Sequence, residues 1–366
     1  MNFDHRHYVP CLRWKQGEYQ AISRLPGTTK RMFTPLIEIP KLGWDFEEKK
    51  VKKTIDELLS DFALKKVYKK WGYSPCFVDL NLITPSERME NGIHPVHFIF
   101  NELRAIKCPA IPVTGLLRDR EYQQEIKTAW AKDKNGICLR ITIEQAAKNT
   151  FKTEINSLLS PLGNRPADCD FILDLGTPNF VPFEGFSKAI QAIVSVFPYL
   201  DNWRTFTVLG TSFPETMAVI RKGGEIVPRH EWQLYKILIT NFVKAGIRLP
   251  SFGDYAINHP KVLEMDMRLV KPSATIRYTI DDGWYIVKGN NVRDKEYGKF
   301  KQYRQLSKQV VDSRYYCGSN FSWGDRYIQQ CANRSGSTGN LMMWRQVGTN
   351  HHIEKVTRDI ASFYAS

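Results

Sequence analysis

No stretch of the 366-residue chain approaches the roughly 18 consecutive apolar residues that a membrane-spanning helix needs. The opening segment Asp4-His5-Arg6-His7-Tyr8 has none of the apolar core of a signal peptide. A soluble, cytoplasmic protein with no membrane partner is expected. Cysteine is sparse. The seven residues (Cys11, Cys76, Cys108, Cys138, Cys169, Cys317 and Cys331) are odd in number and contain no Cys-x-x-Cys pair, which argues against a zinc knuckle or a disulfide frame and for free, buried thiols. No GxGxxG and no Walker loop occurs, so the usual glycine-rich cradles for dinucleotides and nucleoside triphosphates are missing. No GxSxG surrounds a serine, which removes the common serine nucleophile. What is present is an ordinary globular composition, 42% hydrophobic and 25% charged, with a net charge of +14. That charge is uneven: +6 over residues 1–75, +1 over 76–260 and +7 over 261–366. Basic ends around a neutral middle attract polyanions, so nucleic acid or a nucleotide is an expected partner.

Short β-branched runs recur with room for a helix between most of them. They are residues 35–39, 76–80, 110–114, 136–141, 171–175, 205–209, 251–255 and 274–278. Helical periodicity fills the gaps at 51–68, 96–107, 120–132, 143–159, 183–196 and 231–243. Eight strands alternating with helices over about 250 residues predict an α/β fold, a (β/α)8 TIM-like barrel over residues 1–280. Residues 281–366, rich in alternating basic and aromatic side chains, form an integral C-terminal extension expected to pack on the barrel.

Several segments carry a family resemblance. Tyr8-Val9-Pro10 with Leu12-Arg13-Trp14-Lys15-Gln16-Gly17-Glu18-Tyr19, Pro35 to Pro40, Arg229-His230-Glu231-Trp232, Phe252-Gly253-Asp254-Tyr255 and Val347-Gly348-Thr349-Asn350-His351-His352 together resemble the beta protein family of bacteriophages and bacteria. The resemblance runs from about residue 8 to residue 360. It implies a phage or mobile-element setting, with a phage or defence-system protein as partner and phage–host conflict as context. It transfers no catalytic residue.

Candidate chemistry therefore comes from the residues. Glu38, Asp79, Arg140, Asp174, Asp254 and Arg277 each lie near the end of an expected strand, with Leu36, Phe77, Cys138, Ile172, Phe252 and Thr275 two positions earlier. Barrel enzymes place their polar groups at that rim. Charges inside strands are costly unless paired or metal-bound. Two arrangements satisfy this. In one, Glu38, Asp79 and Asp174 hold Mg²⁺ or Mn²⁺, Asp174, Asp254, His230 and His259 act on a phosphodiester, and Arg118, Arg140, Arg277, Lys288 and His351 bind its phosphate. The product would be a metal-dependent phosphodiesterase or nuclease. In the other, Arg–carboxylate pairs plug the barrel, and the protein is a non-catalytic module that binds nucleic acid or protein. His230 also suits a helix entry after Pro228, and His259 a turn before Pro260. Adjacent His351 and His352 point in different directions on any regular element, so they do not chelate together.

Overall fold

The computed structural model describes residues 3–261, 266 and 269–365. Its chain divides into two compact units. The first comprises residues 1–14, 33–211 and 231–254, the second residues 15–32, 212–230 and 255–366. Among the described residues, no helix is long and apolar enough to cross a membrane.

The first unit is a closed barrel of eight parallel strands: β1 (Tyr8–Leu12), β2 (Leu36–Glu38), β3 (Cys76–Asp79), β4 (Ala110–Thr114), β5 (Ile137–Thr142), β6 (Cys169–Gly176), β7 (Thr205–Gly210) and β8 (Ser251–Asp254). Each pairs with its sequence neighbours, and β1 closes the ring against β8. The expected (β/α)8 architecture is present, with one strand exchanged. Residues 274–278 were expected as the eighth strand, but they belong to an antiparallel sheet of the second unit, and Tyr8–Leu12 takes the vacant place. The reason is local. Pro10 interrupts the amide ladder, which lowers the strand signal of Tyr8–Leu12, whereas Ala274–Tyr278 is an uninterrupted alternating run that suits any sheet.

Helices connect the strands where the sequence supplies caps. Asp119 accepts the Tyr122 N–H at 2.9 Å and starts Arg120–Asp133. Thr142 and Gln145 form a reciprocal capping box at Ile143–Ala146. That short helix ends at Ala147, so the helix expected over 143–159 is broken, and its second part runs from Phe151 to Leu162. The 51–68 segment likewise becomes the helix Ile55–Leu59 followed by a π-helix, Phe62–Tyr68.

Strand register defines which side chains face inward. Laterally paired residues of parallel strands share a face, and the pairs Cys11–Leu36, Leu36–Phe77, Phe77–Ile111, Val113–Cys138, Cys138–Asp170, Ile172–Thr207, Ser251–Thr207 and Val9–Gly253 link one set right round the ring. Gly253 belongs to it. A Cβ there would stand 3.0 Å from the Val9 carbonyl oxygen and 3.2 Å from Leu209 Cδ1, so a side chain would require its neighbours to give by a few tenths of an ångström.

At the start of β1, His7 Nε2 lies 2.9 Å from Thr34 Oγ1. Burial pushes the His7 pKa down to about 4, against the opposing pull of Asp4. The folded value is below the unfolded one, so the contribution is complete above about pH 6.5 and is lost as pH falls from there to about 4. Stability should drop by up to about 3 kcal/mol over this window. His7→Gln should flatten that slope in urea denaturation at pH 7, 5 and 4; an unchanged slope would exclude His7 as its source.

The second unit is built on a three-stranded antiparallel sheet in the order Gly223–Pro228, Gly283–Asn291, Ser273–Ile280. The last two strands form a hairpin whose link is the two residues Asp281-Asp282, with Ile280 opposite Gly283. Ala274, Ile276, Tyr278 and Val287 enter a core with Tyr303, Ile328, Trp344 and Val347 from the helices Gln302–Val311, Trp323–Ala332 and Leu341–Phe363. Tyr303 and Trp344 stack with centroids 4.3 Å apart, which explains much of the aromatic content of the C-terminal sequence.

Candidate functional site

The inward-facing set ends, at the carboxyl side of the strands, in charge. Glu38 (β2), Asp79 (β3), Arg140 (β5) and Asp174 (β6) converge although their strands are not all adjacent, which only an interior location allows. Arg140 Nη1 lies 2.7 Å from Glu38 Oε1 and 3.0 Å from Asp79 Oδ2. Its Nε and Nη2 lie 2.9 and 2.8 Å from Asp174 Oδ2. Arg118 Nη2 reaches the other Asp79 oxygen at 2.8 Å and also bonds Asn81. Glu38, Asp79 and Asp174 are all buried. The Cys11 thiol shares this interior; burial first, then Glu38, pushes its pKa well above the ordinary value.

Glu38, Asp79 and Asp174, expected as metal ligands, are thus brought together, and the group at their centre is the guanidinium of Arg140. Its planar fork fits several carboxylates at once. Among the described residues, no three His, Cys, Asp or Glu side chains are grouped to hold a metal ion. A second pair closes the opposite end of the barrel. Asp170, on the same face of β6 as Ile172 and Asp174, accepts Arg204 Nε at 3.0 Å, Arg204 Nη2 at 2.5 Å and Thr205 Oγ1 at 2.7 Å. The sequence signal for this pair is the period-two spacing 170, 172, 174, which marks Asp170 as a companion of Asp174.

Asp254 does not join the cluster. It pairs laterally with Pro10, in the face opposite to the Val9–Gly253 pair, and so points outward from the barrel, where it accepts the Tyr8 hydroxyl at 2.5 Å. This corrects the expected common facing of the strand-end acids. A strand buried on both faces has no polar side to reveal its phase, and a shift of one residue exchanges the two faces.

The histidines have local duties. His230 begins the helix His230–Ala245, its backbone N–H donating to Ser212 Oγ at 2.9 Å, and burial lowers its pKa. His259 Nδ1 accepts the Lys261 N–H at 3.1 Å, a turn-closing bond. His351, expected at a phosphate, is fully buried in mid-helix: Nδ1 is 2.8 Å from Asp325 Oδ2 and Nε2 is 2.8 Å from the Thr279 carbonyl oxygen. Tyr278 stacks on the ring at 3.9 Å and donates its hydroxyl to Asp325 at 2.6 Å. The surrounding motif is equally structural. A Cβ on Gly348 would lie 2.9 Å from Ile257 Cδ1 and 3.0 Å from the Arg277 carbonyl oxygen, while Asn350 bridges the Gly324 N–H and the Ala21 carbonyl.

Arg277 and Lys288 sit together elsewhere. Thr275 is opposite Lys288 in the hairpin, and Arg277 follows Thr275 by two, so all three share one face of the antiparallel sheet. That face lines a cavity of about 980 Å³ in the second unit. Of the seven cysteines none is disulfide-bonded, and only Cys317 is exposed.

The Beta protein family model matches residues 8–358, and the chain belongs to that family. No curated protein matches it.

Proposed function

We propose that this Beta protein family member is a nucleic-acid-binding module in which the barrel is a locked scaffold and the second unit presents the polyanion surface. The observation that carries this reading is the division of charge between the units. The second unit holds 24 Lys and Arg against 13 Asp and Glu, a net +11, whereas the larger barrel unit holds 28 against 25, a net +3. A field of that sign and density draws phosphate backbones irrespective of sequence. The barrel rim supports the scaffold role, because Arg140 already satisfies the carboxylates that a catalytic metal would need.

Lys65, Lys66, Lys69 and Lys70, the other basic stretch, are weaker candidates. Lys65 pairs with Asp61 at 2.8 Å, and Lys66 donates to the Leu58 carbonyl and lies over the Phe62 ring. The exposed Lys295, Lys299 and Lys301 of the second unit are better placed for phosphate. Fluorescence anisotropy with a short single-stranded oligonucleotide over a salt series tests the reading. Changing these three lysines to glutamine should weaken binding and flatten the salt slope by about one unit for each phosphate no longer neutralised. Neutralising Lys65, Lys66, Lys69 and Lys70 should change the slope less. Equal slopes in parent and both variants, or no binding at low salt, would reject the proposal.

The alternative, a phosphodiesterase using Mg²⁺ or Mn²⁺, has one observation in its favour, the convergence of three carboxylates at one rim. It requires the cation to displace Arg140.

A further inference from the structure

Among the described residues, Arg277 has no hydrogen-bonded or ion-paired partner. Its guanidinium makes no hydrogen bond to any described residue; Nε is buried without a partner, and its near neighbour is the Phe213 ring, 5.7 Å away. Burial first, then the neighbouring Arg345, pushes its pKa well below the usual arginine value. Arginine does not give up its proton at neutral pH, so the group remains a half-buried positive charge, which is costly until an anion arrives. Its position also makes it accessible, since Arg277 lines the 980 Å³ cavity together with Lys271, Lys288 and Arg345.

Lys288 is partly committed. Its ammonium donates to the Met217 and Ile220 carbonyl oxygens, both at 2.7 Å, which uses two of its three N–H groups. Arg345 is held in place by the Ile257 carbonyl and by Asn258 Oδ1, at 3.2 and 2.8 Å from its Nη1. Against these four cations the described lining has two acids, Glu215 and Asp266, and Glu215 is paired with Lys261 at 2.9 Å. Counted over the described residues the lining is net +2, which suits the charge of about −2 on a phosphate monoester at neutral pH better than the single charge of a backbone diester. The volume exceeds what one phosphate fills and is of the size that holds a small organic ligand.

We propose that this cavity of the second unit binds the terminal phosphate monoester of a nucleotide-sized ligand, with Arg277 as the forked anion contact and Lys288 as the supporting one. The site is separate from the nucleic-acid surface proposed above and does not depend on it. Free phosphate and a nucleotide share the recognised group, and the probes separate them.

Isothermal titration calorimetry of the full chain, at one fixed salt concentration, is run with inorganic phosphate, with adenosine 5′-monophosphate, and with a short oligonucleotide lacking terminal phosphates. The mononucleotide should bind, inorganic phosphate should bind more weakly and compete with it, and the unphosphorylated oligonucleotide should not compete. Arg277→Met should weaken mononucleotide binding roughly ten- to hundredfold, the usual loss for a charge-assisted hydrogen bond, with Arg277→Lys in between. In the absence of ligand, Arg277→Met should melt about 2–4 °C higher than the parent, because an uncompensated half-buried charge has been removed. That gain separates a missing anion-binding group from a damaged fold. Lys288→Met supplies a second variant with reduced affinity. No binding of either phosphate probe, unaltered affinity in Arg277→Met, or competition by the oligonucleotide without terminal phosphates would each overturn the assignment. Loss of binding together with a lower melting temperature in Arg277→Met, with Lys288→Met binding normally, would do so as well.

Discussion

Arg140→Met destabilises the barrel by about 3–5 kcal/mol at neutral pH, read from urea denaturation, the scale found when one partner is removed from a buried ion pair. Methionine keeps much of the volume but withdraws the guanidinium that touches Glu38, Asp79 and Asp174 together. Arg118 still reaches Asp79 and the Gly176 N–H still donates to Asp174, so the largest remaining cost falls on Glu38. Arg140→Lys should recover only part of the loss, because one ammonium cannot reproduce bonds made by three guanidinium nitrogens. A loss below about 1 kcal/mol would mean that water reaches the rim freely and that the pairs are worth no more than surface ones. The same variant separates the two functional readings. With the guanidinium gone, Mn²⁺ should raise the melting temperature of Arg140→Met and leave that of the parent unchanged, since a ligand stabilises only the folded state that binds it. A clear Mn²⁺ shift in the parent would favour the metal-dependent alternative.

The second large effect is expected at Asp325. Asp325→Asn should cost about 3 kcal/mol or more, because it leaves His351 buried opposite a neutral amide while retaining size. Both ring nitrogens of His351 face oxygens, the Asp325 carboxylate and the Thr279 carbonyl. Burial alone would raise the Asp325 pKa. The charge and hydrogen bond of His351, with bonds from Ser322 and Tyr278, outweigh it, and the net direction is downward. A carboxyl depressed in the folded state contributes stability above its unfolded value near pH 4 and loses it as pH falls through the folded value. The parent should therefore show a stability loss below about pH 4 that Asp325→Asn lacks. Circular dichroism melts from pH 7 to pH 2.5 measure it, and parallel acid limbs in the two proteins would remove Asp325 from the account.

The barrel tolerates so much buried charge because each charge has a geometric answer. Asp170 and Arg204 close one end, and Arg140 with three carboxylates closes the other. Between them lie Leu36, Phe77, Ile111, Val113, Ile172 and Thr207, the apolar middle of the interior. Arginine suits both plugs, since a long apolar stem crosses the lining while the head reaches several oxygens.

Periodicity determined the class of this protein. Alternating strand and helix signals predicted an α/β barrel, and the carboxylates at 38, 79 and 174 with Arg140 were legible as rim residues because period-two facing is a local property of each strand. Ring membership was not legible. Tyr8–Leu12 and Ser273–Ile280 both form strands, and only long-range pairing with Ser251–Asp254 and Leu36–Glu38 assigns the first to the barrel. The facing of Asp254 was hidden for a related reason, since residues on both sides of its strand are buried and no exposed polar face marks the phase. The His351–Asp325 pair joins residues 26 apart on different helices. The choice between a metal and Arg140 was also a tertiary decision. Composition supplies carboxylates and guanidinium alike, and it is the register of five neighbouring strands, β2 to β6, that puts Arg140 at the point where the three carboxylates meet.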